Sequence, residues 1–163
     1  MVICMLNPNI MKKRILITDD HTIVRKGVVS LLKDNFPFFE SDEAETAAET
    51  IKHLKQNKYD LLILDLNLPD ANVEKFINLA KLEAKNTPII VFSMFPINVM
   101  EKPMIELGVS KYINKAEDLI KLKRAVEEVI LGKITSPSNE ESVPQKMSPF
   151  ASLSPKELSV MIS

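Results

Sequence analysis

Three apolar runs, RILIT at 14–18, LLILD at 61–65 and PIIVFS at 88–93, are each long enough for one buried strand and too short for a core helix. Between them the apolar residues repeat at helical spacing. Ile23, Val24, Gly27, Val28, Leu31 and Leu32 make one stripe, and Leu119, Leu122, Val126, Val129 and Ile130 make another. Strands that are apolar throughout, alternating with amphipathic helices, dictate an α/β parallel sheet covered on both faces. Two weaker strands, FFES at 38–41 and KYIN at 111–114, bring the expected number to five. Five helices fit the gaps, near 21–34, 45–57, 73–85, 97–107 and 117–131. Pro96 suits a helix start, whereas Pro103 falls inside the fourth helix and should kink or shorten it.

A chain of 163 residues provides for one main domain with flanking segments. Its 21 basic and 22 acidic residues nearly cancel, which excludes recruitment of nucleic acid or anionic membrane by overall charge. Lys52, Lys55 and Lys58 lack interleaved aromatic residues and are assigned to a solvated surface. The one cysteine, Cys4, cannot close an internal disulfide, and with no apolar window of membrane-spanning length a cytoplasmic location is expected. Residues 1–12 form an N-terminal extension without signal-peptide features, and the fold begins near Lys13. From 133 to 151 the composition turns Ser- and Pro-rich without periodicity, the mark of a linker. Ser154 as N-cap, Pro155 at the first helical position and Glu157 three residues after the cap then announce a further helix within 152–163.

An acid inside an apolar run demands explanation, because a buried carboxylate is costly without a cation, a proton or a chemical role. In an open parallel sheet the ligand chemistry sits at the carboxyl ends of the strands, where strand order reverses. Asp19 and Asp20 follow the first strand, Asp65 ends the third, Ser93 ends the fourth and Lys115 follows the fifth. Taken singly, an acid there is often an N-cap, and the serine and lysine are unremarkable. Taken together, three carboxylates, a lysine and a hydroxyl at one edge are the donor set for Mg²⁺ and a phosphoryl group.

These residues carry a resemblance. ILITDDHTIVRKGVVSLL, LLILDLNLP, IIVFSM and GVSKYINKAEDLIKLKRAVEEVILGK together resemble, from Arg14 to Lys133, the receiver domain of bacterial two-component response regulators of the NarL/FixJ type, which sets a receiver domain over 13–132. The resemblance implies a flavodoxin-like (βα)5 doubly wound parallel sheet of strand order 2-1-3-4-5. It also implies that Asp65 accepts a phosphoryl group, that Asp19, Asp20, Asp65 and the Asn67 carbonyl bind Mg²⁺, and that Ser93, Lys115 and Tyr112 contact the phosphate and switch the surface of helix 4, strand 5 and helix 5. A sensor histidine kinase is the implied phosphoryl source, and a homodimer through helix 1 or helices 4 and 5 is compatible with the exposed faces. LSPKELSVM resembles the opening of a LuxR-type helix-turn-helix, so DNA would be reached only through a C-terminal domain that this chain lacks.

The pattern is departed from at four places. Val73 stands where glycine is usual, which predicts an altered loop after Asp65. Met94 and Phe95 follow the switch hydroxyl where a small residue is common, which predicts slowed donor access or water attack. Ala116 replaces proline after the lysine, and Lys111 replaces glycine before the aromatic. Two rival readings accompany the first. A haloacid dehalogenase-type phosphohydrolase would need an acid two residues after Asp65, and Asn67 cannot transfer that proton. A receiver that acts as an interaction module without phosphorylation would share every motif. His21 is expected to open the first helix, and His53 to lie on a solvated face.

Overall fold

The computed structural model describes residues 11–117 and 119–132. The chain runs β1 (Lys13–Thr18), α1 (Thr22–Asn35), β2 (Phe39–Ala44), α2 (Ala47–Gln56), β3 (Leu61–Leu64), α3 (Val73–Glu83), β4 (Ile89–Ser93), α4 (Ile97–Glu106), β5 (Lys111–Asn114) and α5 (Leu119–Leu131). All strand pairs are parallel, and the sheet order is β2-β1-β3-β4-β5. This is the parallel α/β sheet that the sequence pattern predicts, in the flavodoxin-like (βα)5 form and strand order that the receiver resemblance implies. Among the described residues no helix is long and apolar enough to cross a membrane. The proposed linker and the terminal helix at Ser154 lie outside the described residues.

Alternation along the strands divides the core between two faces. Ile15, Ile17, Leu61, Ile63, Ile90 and Phe92 pack with Val28 and Leu32 of α1 and with Leu122 and Val126 of α5. Leu16, Leu62, Leu64, Ile89 and Val91 pack on the other side with Leu54, Phe76, Ile77 and Met104. The middle strand β3 is buried at all four positions, so its sequence has no polar face. The same apolar continuity that marks it as central also delivers Asp65, the next residue, to the carboxyl edge.

Several expectations change. β2 is longer than FFES and runs to Ala44, pairing in register with β1 from Lys13↔Phe39 to Thr18↔Ala44. Its acids hid it: Glu40, Asp42 and Glu43 meet Lys12, Arg14 and Lys26 along this edge strand. The buried stripe of α1 is rotated relative to the apolar pattern, with Arg25, Val28, Val29 and Leu32 inside and Ile23 88% exposed. The helix α4 continues through Pro103 and ends in a Schellman motif. There Gly108 takes φ +90°, its N–H donates to the Ile105 carbonyl, and Val109 N–H donates to Met104. Lys81 of α3 reaches the same end, its Nζ 3.2 Å from the Leu107 carbonyl. His53 is not merely solvated, because its Nδ1 lies 3.1 Å from the Tyr59 hydroxyl. That hydroxyl donates to Asp42 at 2.7 Å. Burial would raise the Asp42 pKa, but the hydrogen bonds from Tyr59 and Arg14 together hold it below the ordinary carboxylate value.

The loop after β3 is shaped without glycine. Asn72 is the N-cap of α3 in extended conformation, its side chain accepting from Lys75 N–H, and among the described residues no non-glycine residue has positive φ. Val73 is therefore simply the first residue of the helix. Asp70 in this loop accepts from Ala47 N–H at 3.0 Å and Ala48 N–H at 3.2 Å, which caps α2 from outside. Those bonds, Ala47 first, hold the Asp70 pKa below its usual 3.8. A group with a depressed folded pKa stabilises above its unfolded pKa and loses that contribution as pH falls through the folded one. Asp70→Ala is expected to cost about 1 kcal/mol at neutral pH, read from the urea midpoint. The difference from wild type should vanish as pH falls below the unfolded value and through the folded one.

Candidate functional site

Five of the residues singled out from the sequence converge at the carboxyl edge between β1, β3, β4 and β5. Asp65 N–H donates to the Thr18 carbonyl at 2.8 Å, extending the β1–β3 ladder by one residue, and Asp19 N–H donates to Ala44 at 3.1 Å. Lys115 N–H donates to the Ser93 carbonyl at 2.8 Å. Backbone ladders therefore place these side chains at the sheet edge.

Asp19 and Asp65 are almost wholly buried, and two such anions require a cation. Lys115 supplies it, with Nζ 2.5 Å from Asp19 Oδ2 and 2.8 Å from Asp65 Oδ2. The remaining oxygen of each acid accepts a backbone N–H two residues on: Asp19 Oδ1 from His21 at 2.8 Å, Asp65 Oδ1 from Asn67 at 3.2 Å. Asp20 is more open and has no such arrangement. Its Oδ1 is buried and lies 2.7 Å from His21 Nδ1, but without hydrogen-bond alignment, and it has no hydrogen-bond partner among the described residues. Ligand atoms of Asp19, Asp20, His21 and Asp65 all fall within 4.8 Å of one another. Three carboxylates against one ammonium leave the pocket with a formal surplus of two negative charges, matched to a divalent cation. Hard oxygens in this number suit Mg²⁺, which takes one or two carboxylates and keeps waters.

Ser93 is fully buried, and its Oγ has no hydrogen-bond partner among the described residues. Such an orphan in a polar pocket is a donor held in reserve. Tyr112 is already turned into the core, and its hydroxyl donates to the Phe95 carbonyl at 2.8 Å; Asn114 Nδ2 donates to the same carbonyl. Burial pushes the Tyr112 phenol up to about 12, the nearby Ser93 hydroxyl opposing and the Asp65 carboxylate adding to the effect. The bond to the Phe95 carbonyl accounts for this inward position of Tyr112. His21 precedes α1 as its N-cap residue, as expected, but makes no capping hydrogen bond with its side chain. Met94, 64% exposed, borders a groove with His21, Val24, Phe92, Lys115 and Leu119 that opens beside the acids. The Lys115–Ala116 bond is trans.

One residue of the site was missed by sequence reasoning. Arg25 is buried on α1, and its Nη1 donates to the Asp19 carbonyl at 2.7 Å. The available sign was a cation in phase with Val28, Val29 and Leu32, three, four and seven residues on, where an apolar side chain was due.

This geometry defines an acidic, lysine-bridged pocket at the carboxyl edge of a doubly wound sheet, and comparison with known proteins gives its family. The sequence pattern of the response regulator receiver domain matches residues 15–127. The chain belongs to that family. It is 32% identical over 133 residues to the sensory transduction protein LytR of Staphylococcus epidermidis, covering 80% of this chain and 51% of that protein. It is 27% identical to the response regulator UvrY of Escherichia coli, covering 91% of this chain and 72% of that one. The chain thus spans about half the length of the LytR relatives. Among solved structures, a LuxR-family two-component response regulator from Aurantimonas is similar at TM-score 0.67 and 28% identity, covering 73% of this chain and 85% of that one. The response regulator TrrA of Thermotoga maritima, solved in complex with Mg²⁺-BeF, is similar at TM-score 0.63 and 25% identity, covering 72% and 98%.

Proposed function

We propose that this receiver domain is a phosphorylation switch in which Asp65 accepts a phosphoryl group in a Mg²⁺-dependent reaction. The observation that carries the reading is the buried pair Asp19 and Asp65 bridged by Lys115, beside an unpartnered Ser93 hydroxyl. Asp19, Asp20, Asp65 and the Asn67 carbonyl would hold the metal; the cluster of acidic ligand atoms supports this, and TrrA, a similar response regulator solved in complex with Mg²⁺-BeF, supports the choice of metal. When bound, the metal supplies positive charge to the transferring oxygens.

An oxygen of Asp65 attacks phosphorus, the bond to the donor's leaving group breaks, and an acyl phosphate results. Lys115 then exchanges its contact with the Asp65 carboxylate for one with a phosphoryl oxygen, a charge-assisted bond of the same kind. The Ser93 hydroxyl gains its missing acceptor on another phosphoryl oxygen. Because Tyr112 is already inward, the phosphoryl group acts by holding Ser93 and the Met94–Phe95 loop in the arrangement that keeps it there. A few kcal/mol of preference is needed to shift a two-state population decisively. The phosphoryl source is a sensor histidine kinase, and the output is transcription regulation, as the name of the relative LytR, a transcriptional regulatory protein, supports.

Intact mass after incubation with Mg²⁺ and acetyl phosphate tests the proposal. One magnesium-dependent phosphoryl adduct is expected. Folded protein that stays unmodified with acetyl phosphate and with kinase donors would point instead to a module acting without phosphorylation. Met94, at the mouth of the pocket, is expected to shield the acyl phosphate from water. Met94→Ala should shorten the lifetime of the phosphorylated form several-fold, measured by adduct decay after donor removal. Equal half-lives would sink that role.

A further inference from the structure

The buried cation that the switch chemistry does not use is Arg25, and its partners give it a specific task. Its Nε donates to Glu43 Oε2 at 3.1 Å and its Nη2 to Glu45 Oε1 at 2.5 Å. On the other side of the fork, Nη1 donates to the main-chain carbonyl of Asp19 at 2.7 Å. Burial opposes the guanidinium charge, but the bonds to Glu43 and Glu45 more than offset it, and the pKa is raised. Two carboxylates thus neutralise Arg25 on the side away from the pocket. Among the described residues its hydrogen bonds go to Glu43, Glu45, Thr22 and the Asp19 carbonyl rather than to the side-chain oxygens of Asp19, Asp20 or Asp65, so it is not placed to bind phosphate directly. Its one link to the site is through the backbone.

That link falls on a sensitive bond. The Asp19 carbonyl belongs to the peptide joining Asp19 to Asp20, and a peptide is planar. Holding its oxygen fixes the plane, and with it the directions in which both acids leave the chain. The preceding peptide is held independently by Asp19 N–H to Ala44. Both bonds lead to the end of β2, from Glu43 to Glu45.

We propose that Arg25 is a positioning residue for the divalent-cation site: braced by Glu43 and Glu45, its fork sets the plane of the Asp19–Asp20 peptide and so the spacing of the two carboxylates. The inference rests on the reading that these acids hold Mg²⁺. It predicts a role in metal affinity rather than in phosphoryl transfer once metal is bound. Lysine should not substitute, since a single ammonium cannot span Asp19, Glu43 and Glu45 in the planar geometry of the fork.

The test uses the full chain, with Mg²⁺ affinity from calorimetry, thermal midpoint in chelator, and adduct formation with acetyl phosphate as magnesium is varied. Arg25→Gln and Arg25→Lys are expected to weaken Mg²⁺ binding roughly 10–100-fold, the range seen when residues behind metal ligands are removed. Adduct yield at saturating Mg²⁺ should stay near wild type. Glu45→Gln, which loosens the brace but leaves the Asp19 contact, should weaken binding by a smaller factor. A purely structural Arg25 would lower the thermal midpoint and leave the affinity of the folded variants within twofold of wild type, which overturns the inference. If Arg25→Gln does not fold, Arg25→Lys and Glu45→Gln decide by the same criterion. Wild-type protein that neither binds Mg²⁺ nor forms the adduct would remove the parent reading and this one with it, whereas normal wild-type binding with unaltered variants removes this one alone.

Discussion

Asp65→Asn is expected to abolish the phosphoryl adduct while leaving the protein folded. The amide oxygen is neutral and a poor nucleophile, so the proposed acceptor is lost outright rather than weakened. The fold should survive because the ladder bond from Asp65 N–H to Thr18 is backbone and does not depend on the side chain. Lys115 keeps Asp19 as its partner at 2.5 Å. The side chain itself fits less well. Asp65 accepts from both Lys115 and Asn67 N–H, and an amide can accept on only one side, leaving its NH₂ against a donor on the other. A loss of about 1–2 kcal/mol in the chelator-treated protein follows from that one mismatched hydrogen bond. Asp20→Asn provides the contrast, because it removes a proposed metal ligand and spares the acceptor. Its adduct should fall at low Mg²⁺ and recover at high Mg²⁺, whereas no concentration should restore Asp65→Asn. An adduct of normal yield on Asp65→Asn would place the acceptor elsewhere.

Much of this arrangement was legible in the residues because burial writes itself into sequence where the environment is uniform. β3 is apolar throughout and β4 is apolar up to Ser93, so length and composition alone identify them, and the acid after β3 stands out against that background. Legibility fails where charged residues are buried by pairing. β2 is an edge strand whose acids face the cations of β1 and α1, so FESDEA shows no apolar run, and only the β1 register reveals it. Arg25 is the same failure on a helix: a guanidinium among Val28, Val29 and Leu32 looks like a surface residue until Glu43 and Glu45, distant in sequence, are known to meet it. Tyr112 differs again. A rotamer is chosen by a local hydrogen bond, here to the Phe95 carbonyl, and no pattern of residue types encodes that choice.

Lys115→Met should produce the largest loss of stability in metal-free protein, and magnesium should reverse part of it. Lys115 is the cation bonded to both Asp19 and Asp65, each almost wholly buried, and methionine keeps much of its volume while removing the charge. Breaking a buried ion pair by deleting one partner costs about 3–5 kcal/mol, since the other charge is left without compensation. Here two carboxylates are left, with Asp20 adding repulsion from the edge. Urea unfolding in chelator measures this deficit against wild type. A ligand that binds only the folded state stabilises it by about 2.7 kcal/mol at 100 times its dissociation constant. The variant should gain more than the wild type at the same Mg²⁺ concentration, because no ammonium competes for the acids and the divalent charge replaces the one removed. The gap between the two unfolding curves should therefore narrow as Mg²⁺ rises, even though phosphoryl transfer stays slow for want of the lysine contact. A gap that is the same with and without magnesium would mean that Lys115 contributes through packing, and that the buried acids are compensated by some other group.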